Sequence, residues 1–292
     1  MNSKTQPLVS VICLCYNQED YVLQALDSVL MQDYPNIQLI VVDDYSQDNS
    51  VKRIKTYLEG KTKIIFIPNK RNIGNCRSFN KAFSFVQGKY VIDLAADDVL
   101  IKGLLKKQVS FFEQQKAHVG VLFANAQYIT EQGESIKLHH QTNKDGDSTN
   151  PPPQGDVYLD LVKYYFICPP TMMMKTKVLE ALGGYDVMLA YEDFDFWIRS
   201  SRNYHYAYMD EVVIKKRVVK GSLSAKAHHR KMQKSTFKVC EKIYSLNETQ
   251  KEYKALLWRL LYEAKPAVKT IYLSLVMRYM VLLMKTILKA FF

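Results

Sequence analysis

The chain lacks both glycine signatures with which nucleotide-binding sheets commonly cradle phosphate. No GxGxxG follows its first apolar strand signal, and no GxxxxGK[ST] occurs in its 292 residues. The first absence weighs against a dinucleotide-binding Rossmann site, and the second argues against a P-loop NTPase. Cysteine is scarce: there are five, with no CxxC pair and no Cys/His cluster at zinc spacing. Cys13 and Cys15 fall in a run that reads as a buried strand, so reduced thiols in a cytosolic protein are expected. The opening stretch "MNSKTQPLVSVICLCYN" has no apolar segment behind a basic start, and no secretory signal is read in it.

Acidic residues are short in one region only. Residues 211–292 hold 18 Lys+Arg against 5 Asp+Glu, whereas residues 1–210 hold 22 against 24. A near-neutral body therefore carries a C-terminal third of charge +13. Such a region meets phosphates, on nucleic acid or on a membrane, or is simply a solvated basic face. With 48% hydrophobic and 24% charged residues, the composition is globular. The length suits one α/β domain with a smaller appendage.

Strand and helix signals alternate over the first 125 residues. Residues 8–14, 37–44, 63–67, 90–95 and 119–129 read as strands, and 8–14 is apolar enough to be buried on both faces. Helices are expected after Asn17 with Val22, Leu26, Val29 and Leu30 at helical spacing, over 50–59, over 74–87 and over 100–115. This order predicts a doubly wound, mostly parallel sheet with helices on both faces. Residues 131–155 are polar, rich in Gly and Pro, and read as a long surface excursion or lid and not as a domain linker. A short helix (156–165), a strand-like "TMMMK", the turn "GGYD" and an acidic helix follow. Residues 205–219 read as one or two strands, and the signal is helical from 225 onward. We expect a catalytic domain over 1–224 and a basic helical extension over 225–292.

In an open parallel sheet, ligands bind beyond the carboxyl ends of the strands. The four expected ends deliver Cys15-Tyr16-Asn17, Asp43-Asp44, Asn69-Lys70-Arg71-Asn72 and Asp97-Asp98. Ring and carboxylate suit a base and ribose, and cations suit a diphosphate. The adjacent Asp97 and Asp98 repel each other unless a cation joins them. Hard oxygen ligands of this kind suit Mg²⁺ or Mn²⁺, bound by few protein groups and the substrate's own phosphates. Ser46 and Asp48 are better placed than Asp43 or Asp44 to cap the next helix, which leaves those two, Asp44 first, for nucleotide contact. The histidine pairs at 139–140 and 228–229 lack ligand spacing and read as solvated loop residues.

These residues resemble family 2 glycosyltransferases of the GT-A fold. "VSVICLCYNQEDYVLQALDSVLMQDYPNIQLIVVDDYSQDNS" looks like that family's opening. "NKRNIGNCRSFNKAF" is similar to its Asn-x-Gly-x-x-x-Arg-x-x-Asn stretch, with Asn72, Gly74, Arg77 and Asn80 in place. "AADD" stands where its DxD metal motif falls, and "GGYD…YEDFDFWIR" resembles its acceptor-side segment. The resemblance spans roughly residues 8–202. It implies inverting transfer of a sugar, usually from a UDP-sugar, with a divalent metal. Ala95 stands where the common metal motif begins with Asp, which leaves Asp97 and Asp98 as metal candidates and Asp97 also for the nucleotide. Cys15 stands where many relatives carry Ser or Thr, and Asp93 falls two residues too early and reads as structural.

An acceptor hydroxyl has a very high pKa, so a carboxylate must take its proton as the new bond forms. The resemblance assigns that role to Asp193, with Glu192 orienting acceptor or donor sugar. Helix capping is the alternative for Asp193, while Asp195 caps the helix or pairs with Arg199. The nucleotide is expected at Cys15, Tyr16, Asn17, Asp44, Arg71 and Asp97. "KKRVVKGSLSAKAHHRK" (215–231), with Ser222 and Ser224 around Gly221, loosely resembles the family's loop over the diphosphate.

Residues 266–292 combine an apolar run with Lys269, Arg278, Lys285 and Lys289. Arg278 at the centre makes a spanning helix costly. A helix lying on an anionic leaflet is expected, with a dimer helix or a lid over the core as alternatives. The expected partners are thus a nucleotide-sugar donor, a glycan or lipid-linked acceptor and an anionic membrane surface, without nucleic acid. The enzyme is expected in the cytoplasm, peripheral on the inner face of the cell membrane, working in surface polysaccharide synthesis. The competing readings are a non-catalytic basic binding protein on a nucleotide-binding scaffold and a nucleotidyltransferase.

Overall fold

β1 (Val9–Cys15) is buried along nearly its whole length, as an apolar strand covered on both faces must be. It lies parallel between β2 (Ile37–Asp43) and β4 (Tyr90–Ala95), and β3 (Ile65–Pro68) extends the parallel set beyond β2. The crossovers are α1 (Val22–Leu30), α2 (Ser50–Leu58) and α3 (Asn75–Phe83). Val9, Val11 and Cys13 share one core with Val22, Leu26 and Val29 of α1 and Ile54 of α2. The alternate residues Ser10 and Ile12 are equally buried, and α3 packs on β1 and β2 while burying Phe79 and Ala82. This computed structural model of the chain describes residues 6–220 and 230–292. The histidine pair at 228–229 and the Gly221–Ser224 segment lie outside the described residues.

The expected GT-A-like α/β sheet is present, with one change beyond β4: it becomes mixed. Its order is β3-β2-β1-β4-β8-β6-β9-β5. Residues 119–129 form β6 (Val119–Ile129), but β8 (Met173–Lys175) stands antiparallel between β4 and β6. β6 then pairs in parallel with β9 (His205–Arg217). β5 (Val99–Leu100) joins the far edge of β9, and β7 (Ser135–Leu138) joins β6, both antiparallel. Since Val99 and Leu100 are drawn into the sheet, the helix expected from residue 100 starts later. It is α4 (Leu104–Glu113), behind Gly103 at φ +81°. The 131–155 excursion is held in place, with the Ser148 N–H and hydroxyl both donating to Asp210 at 2.7 and 2.5 Å.

The helix expected over 74–87 ends at Phe83. The chain then turns so that Gly88 passes directly over β1. A Cβ on Gly88 would stand 2.6 Å from the Ser10 nitrogen and 2.8 Å from the Leu8 carbonyl oxygen, so only glycine fits. A helix without an expectation, α6 (Thr176–Leu182), follows β8.

By contact, the chain divides into two units. The first takes in the described residues of Met1–Gly155 with Ile167–Tyr185 and Tyr204–Val219. The second is Asp156–Phe166, Asp186–Asn203 and the described residues of Lys220–Phe292. It is helical: α5 (Tyr158–Lys163), α7 (Asp193–Ser201), α8 (Arg230–Leu246), α9 (Gln250–Lys269) and α10 (Leu273–Phe291). A capping box opens α9, the Thr249 hydroxyl accepting from the Glu252 N–H while Glu252 reaches back to the Thr249 N–H.

The single helix expected over 266–292 is in fact the end of α9 and all of α10. Pro266 sits inside α9, and the break comes later, where the Tyr272 N–H donates to the Ala267 carbonyl at 2.8 Å. Ile271 is left-handed there at φ +52°. That geometry ends many helices, but glycine is the usual residue, and an isoleucine conceals the stop.

Gly88→Ala is expected to cost about 3 kcal/mol, because β1 backbone must shift to admit the methyl group. Gly60→Ala, at φ +77° with nothing near its Cβ, is expected to cost only about 1 kcal/mol. Urea unfolding of the two variants checks that order.

Candidate functional site

The order β3-β2-β1-β4 reverses direction at β1, so the crevice for a ligand opens beyond the ends of β1 and β4. The loops after β1 and β2 are stitched together there. The Asn17, Gln18 and Glu19 N–H groups donate to Ser46 Oγ, Ser50 Oγ and Asp48 Oδ2 at 2.9–3.0 Å. In return the Gln47 N–H donates to Asn17 Oδ1 and the Asn49 N–H to Glu19 Oε2. Asn17 is left-handed at φ +54°, a conformation asparagine tolerates. Ser46 and Asp48 thus serve this seam. Tyr16 is left with a half-exposed ring, whereas the Cys15 thiol is buried and pushed up to about 12 by that burial. The Cys15 carbonyl accepts the Asp44 N–H at 2.9 Å.

The two carboxylates after β2 are both buried and both engaged. Asp43 accepts the Ser46 N–H at 2.9 Å and the Ser46 hydroxyl at 2.5 Å. Asp44 accepts from Asn69 Nδ2, the Ile73 N–H and the Gly74 N–H at 2.8–3.0 Å. A carboxylate with three such donors shapes the 69–74 loop. Lys81 donates to Asn69 Oδ1 at 2.8 Å and steadies the same loop. Arg71 and Arg77 stand exposed around it. Asn80 acts elsewhere, clamping the Tyr185 backbone with two bonds of 2.8 and 2.9 Å. The Tyr185 ring stacks on Phe79 at 4.1 Å, and its hydroxyl donates to Asp93 at 3.2 Å. Asp93 is therefore structural, as expected.

At the end of β4, Asp98 is buried and Asp97 partly so. Burial first, then the Asp97 charge, pushes the Asp98 carboxyl up to about 7. Burial also raises Asp97. Lys216 and Arg217 pull both carboxyls back down, and Asp98 Oδ1 accepts the Arg217 N–H at 2.9 Å. The Arg217 guanidinium, itself buried, donates to the carbonyls of Asp97, Thr130 and Glu131 and to Gln24 Oε1, and it lies 4.7 Å over the Tyr21 ring. It ties four chain segments together behind the acidic pair. Nothing in its sequence surroundings distinguishes it from its neighbours Lys215 and Lys216.

No group of three or more His, Cys, Asp or Glu among the described residues forms a metal cage. What the crevice offers is two carboxylates and the buried, unpartnered Oε1 of Gln18, whose side chain neighbours Asp97. This all-oxygen set is hard and incomplete. It fits a divalent cation whose shell is finished by diphosphate and water.

In the second unit, Glu192 is the N-cap residue of α7 but makes no side-chain cap bond. Asp193 Oδ1 accepts the Phe194 N–H at 2.7 Å. Asp195 is fully buried and pairs with Arg199 at 2.7 Å, as expected, and also with Lys242 at 2.5 Å; Lys242 reaches Asp186 at 2.6 Å as well. Arg259, buried, donates to the Leu161 and Val162 carbonyls, pairs with Glu263 and lies over the Tyr165 and Phe194 rings. Lys242 and Arg259 fix α7 from α8 and α9. Periodicity could not single them out, because their partners are 47 and 97 residues away.

A doubly wound sheet with an acidic, basic and aromatic crevice at its switch point defines a nucleotide-binding α/β enzyme fold of GT-A type. The profile of Glycosyl transferase family 2 matches residues 10–183, and the chain belongs to that family and is a glycosyltransferase. An uncharacterized glycosyltransferase of Methanocaldococcus jannaschii is 31% identical over 220 residues, covering 73% of this chain and 71% of the relative. TuaG of Bacillus subtilis, named for teichuronic acid biosynthesis, is 27% identical over 266 residues, covering 90% of this chain and 97% of the relative. Among solved structures, Staphylococcus aureus TarS with UDP-GlcNAc superposes with a TM-score of 0.68 at 18% identity, over 89% of this chain and 74% of that one. The mannosyltransferase PcManGT of Pyrobaculum calidifontis, with GDP-Man and Mn²⁺, gives 0.64 at 17% identity, over 92% and 76%.

Arg217→Lys keeps the charge but loses the fork of donors that spans three carbonyls. It is expected to cost about 2 kcal/mol of stability, since the carbonyls around the acidic pair lose their donors. Thermal unfolding measures the effect.

Proposed function

We propose that this glycosyltransferase moves a sugar from a UDP-sugar to a glycan or lipid-linked acceptor in surface polysaccharide synthesis, with inversion at the anomeric carbon. The observation that carries the reading is the Asp97–Asp98 pair at the β1/β4 switch point, Asp98 buried and Asp97 partly so, two adjacent carboxyls that the fold holds in place. The teichuronic acid relative supports a polysaccharide product, and the UDP-GlcNAc complex of a structural neighbour supports the uridine donor.

In this reading the Tyr16 ring receives the base, Asp97 meets the ribose or the cation, and Arg71 meets the diphosphate. Asp44, Asn17 and the Cys15 backbone also contact the nucleotide, from loops that their own hydrogen bonds hold in place. Asp97 and Asp98 would hold Mn²⁺ or Mg²⁺, which when bound offsets charge on the diphosphate. Asp193 takes the proton of the acceptor hydroxyl as that oxygen bonds to the anomeric carbon and the sugar–phosphate bond breaks. Glu192 orients the acceptor or the donor sugar. The buried Asp195–Lys242 pair keeps the start of α7 in place, so that Asp193 needs little reorganisation when the proton moves.

Asp193→Asn preserves size and removes basicity. Sugar transfer is expected to fall by about two to four orders of magnitude while UDP binding persists; near-normal turnover would overturn the assignment of the base. Asp98→Ala is expected to abolish the part of UDP binding that depends on Mn²⁺. Calorimetry with and without EDTA tests this, and UDP binding by the wild type that is indifferent to EDTA would remove the metal from the reading.

A further inference from the structure

α10 has two apolar faces, and only one of them is covered. Leu275, Tyr279, Leu282, Thr286 and Ala290 are buried, and the helix packs on α9 and α8. On the opposite face Leu273, Met277, Met280, Met284, Ile287 and Phe291 recur at steps of three and four residues and are each 40–69% exposed. Trp258, Leu261, Tyr262 and Val268 continue this exposure along α9, with Trp258 76% exposed. Scattered exposed apolar side chains are normal, but a continuous stripe along two helices marks a docking surface. Between the helices lies an apolar cavity of about 150 Å³, lined in part by Leu261, Val268, Met280 and Leu283. Leu261, Val268 and Met280 also belong to the exposed stripe, so the cavity adjoins it.

Charge decides what covers this surface. After Glu263 the sequence has no further acid, yet residues 264–292 contain Lys265, Lys269, Arg278, Lys285 and Lys289. Arg278, though exposed, is engaged within the protein: it pairs with Glu241 at 3.2 Å and its guanidinium lies 4.5 Å over Phe237. The four lysines are exposed. A second copy docked face to face would bring these cations together with no carboxylate from this segment between them. An anionic lipid surface supplies both an apolar interior and negative head groups. No helix among the described residues is long and apolar enough to cross a membrane.

We propose that the α9–α10 pair docks on an anionic membrane. The outer stripe enters the acyl boundary, Lys265, Lys269, Lys285 and Lys289 meet lipid phosphates, and the cavity takes the end of an acyl chain. Arg278 serves as the tie between α10 and α8 and not as a lipid contact. This inference stands apart from the assignment of donor and base.

The test is flotation of the full chain with vesicles of phosphatidylcholine alone or with phosphatidylglycerol, at low and high salt. The wild type is expected to float with phosphatidylglycerol, and less at high salt. Met277→Glu with Met284→Glu acts on exposed side chains, so it should unfold at the wild-type temperature and lose at least tenfold in vesicle binding. Lys285→Glu with Lys289→Glu should lose a similar factor, on the order of fivefold or more for each charge. Three results would overturn the proposal: a wild type that stays in solution with phosphatidylglycerol, methionine variants that float as well as the wild type, or binding indifferent to both salt and the lysine reversals. A wild-type dimer by light scattering that the methionine variants convert to monomer, without flotation, would assign the face to a second copy.

Discussion

Two like charges held side by side at a buried strand end set the terms for the first unit. Burial raises the resistance of both Asp97 and Asp98 to ionisation, and the Asp97 charge raises that of Asp98 further. A fold tolerates such a pair only if counter-charge and hydrogen bonds are built around it. Here they come from the far end of β9, where Lys216 supplies charge and Arg217 supplies both a backbone N–H and a guanidinium. Arg217 also holds the carbonyls after β6 and the side chain of Gln24 in α1, so the acidic pair and two neighbouring segments are positioned by one residue. The compensation is partial, since the Asp98 carboxyl still stands raised to about 7.

The seam between the loops after β1 and β2 follows the same pattern of distant bracing. Ser46 and Asp48 look like helix caps by position, and they accept N–H groups from Asn17 and Glu19 across some thirty residues of sequence. Asp44 in turn holds three donors from the loop after β3. Two residues of the family resemblance hold backbone far along the chain, Asp44 in the loop after β3 and Asn80 at Tyr185, while the Tyr16 ring stays half-exposed. In the second unit Asp195 is likewise braced at a distance, buried in ion contacts with Arg199 and with Lys242 of α8 at the start of α7.

Much of this was legible in the chain itself. The parallel half of the sheet follows from apolar runs punctuated by Pro and Gly, because strands buried on both faces must be apolar throughout. The four polar strand ends follow from that reading and from the rule that parallel sheets bind at their carboxyl ends. The i,i+4 partnership of Asp195 and Arg199 is a local consequence of helix geometry, as is the amphipathic, cation-flanked character of residues 266–292.

Other features depended on distant partners. β8 displaced β6 from the side of β4, since a three-residue strand is too short for period-two patterning to assign its neighbours. The end of α9 escaped notice because an isoleucine occupies the left-handed position where glycine would signal a stop. Arg217, Lys242 and Arg259 look like ordinary surface cations in sequence, and only packing shows that their donors are engaged by partners far along the chain. Local periodicity and composition thus determined the elements, the kind of site and the charge asymmetry of the protein. Tertiary structure decided which polar residues face the crevice and which brace it, because hydrogen bonding between distant segments leaves no periodic trace in the sequence.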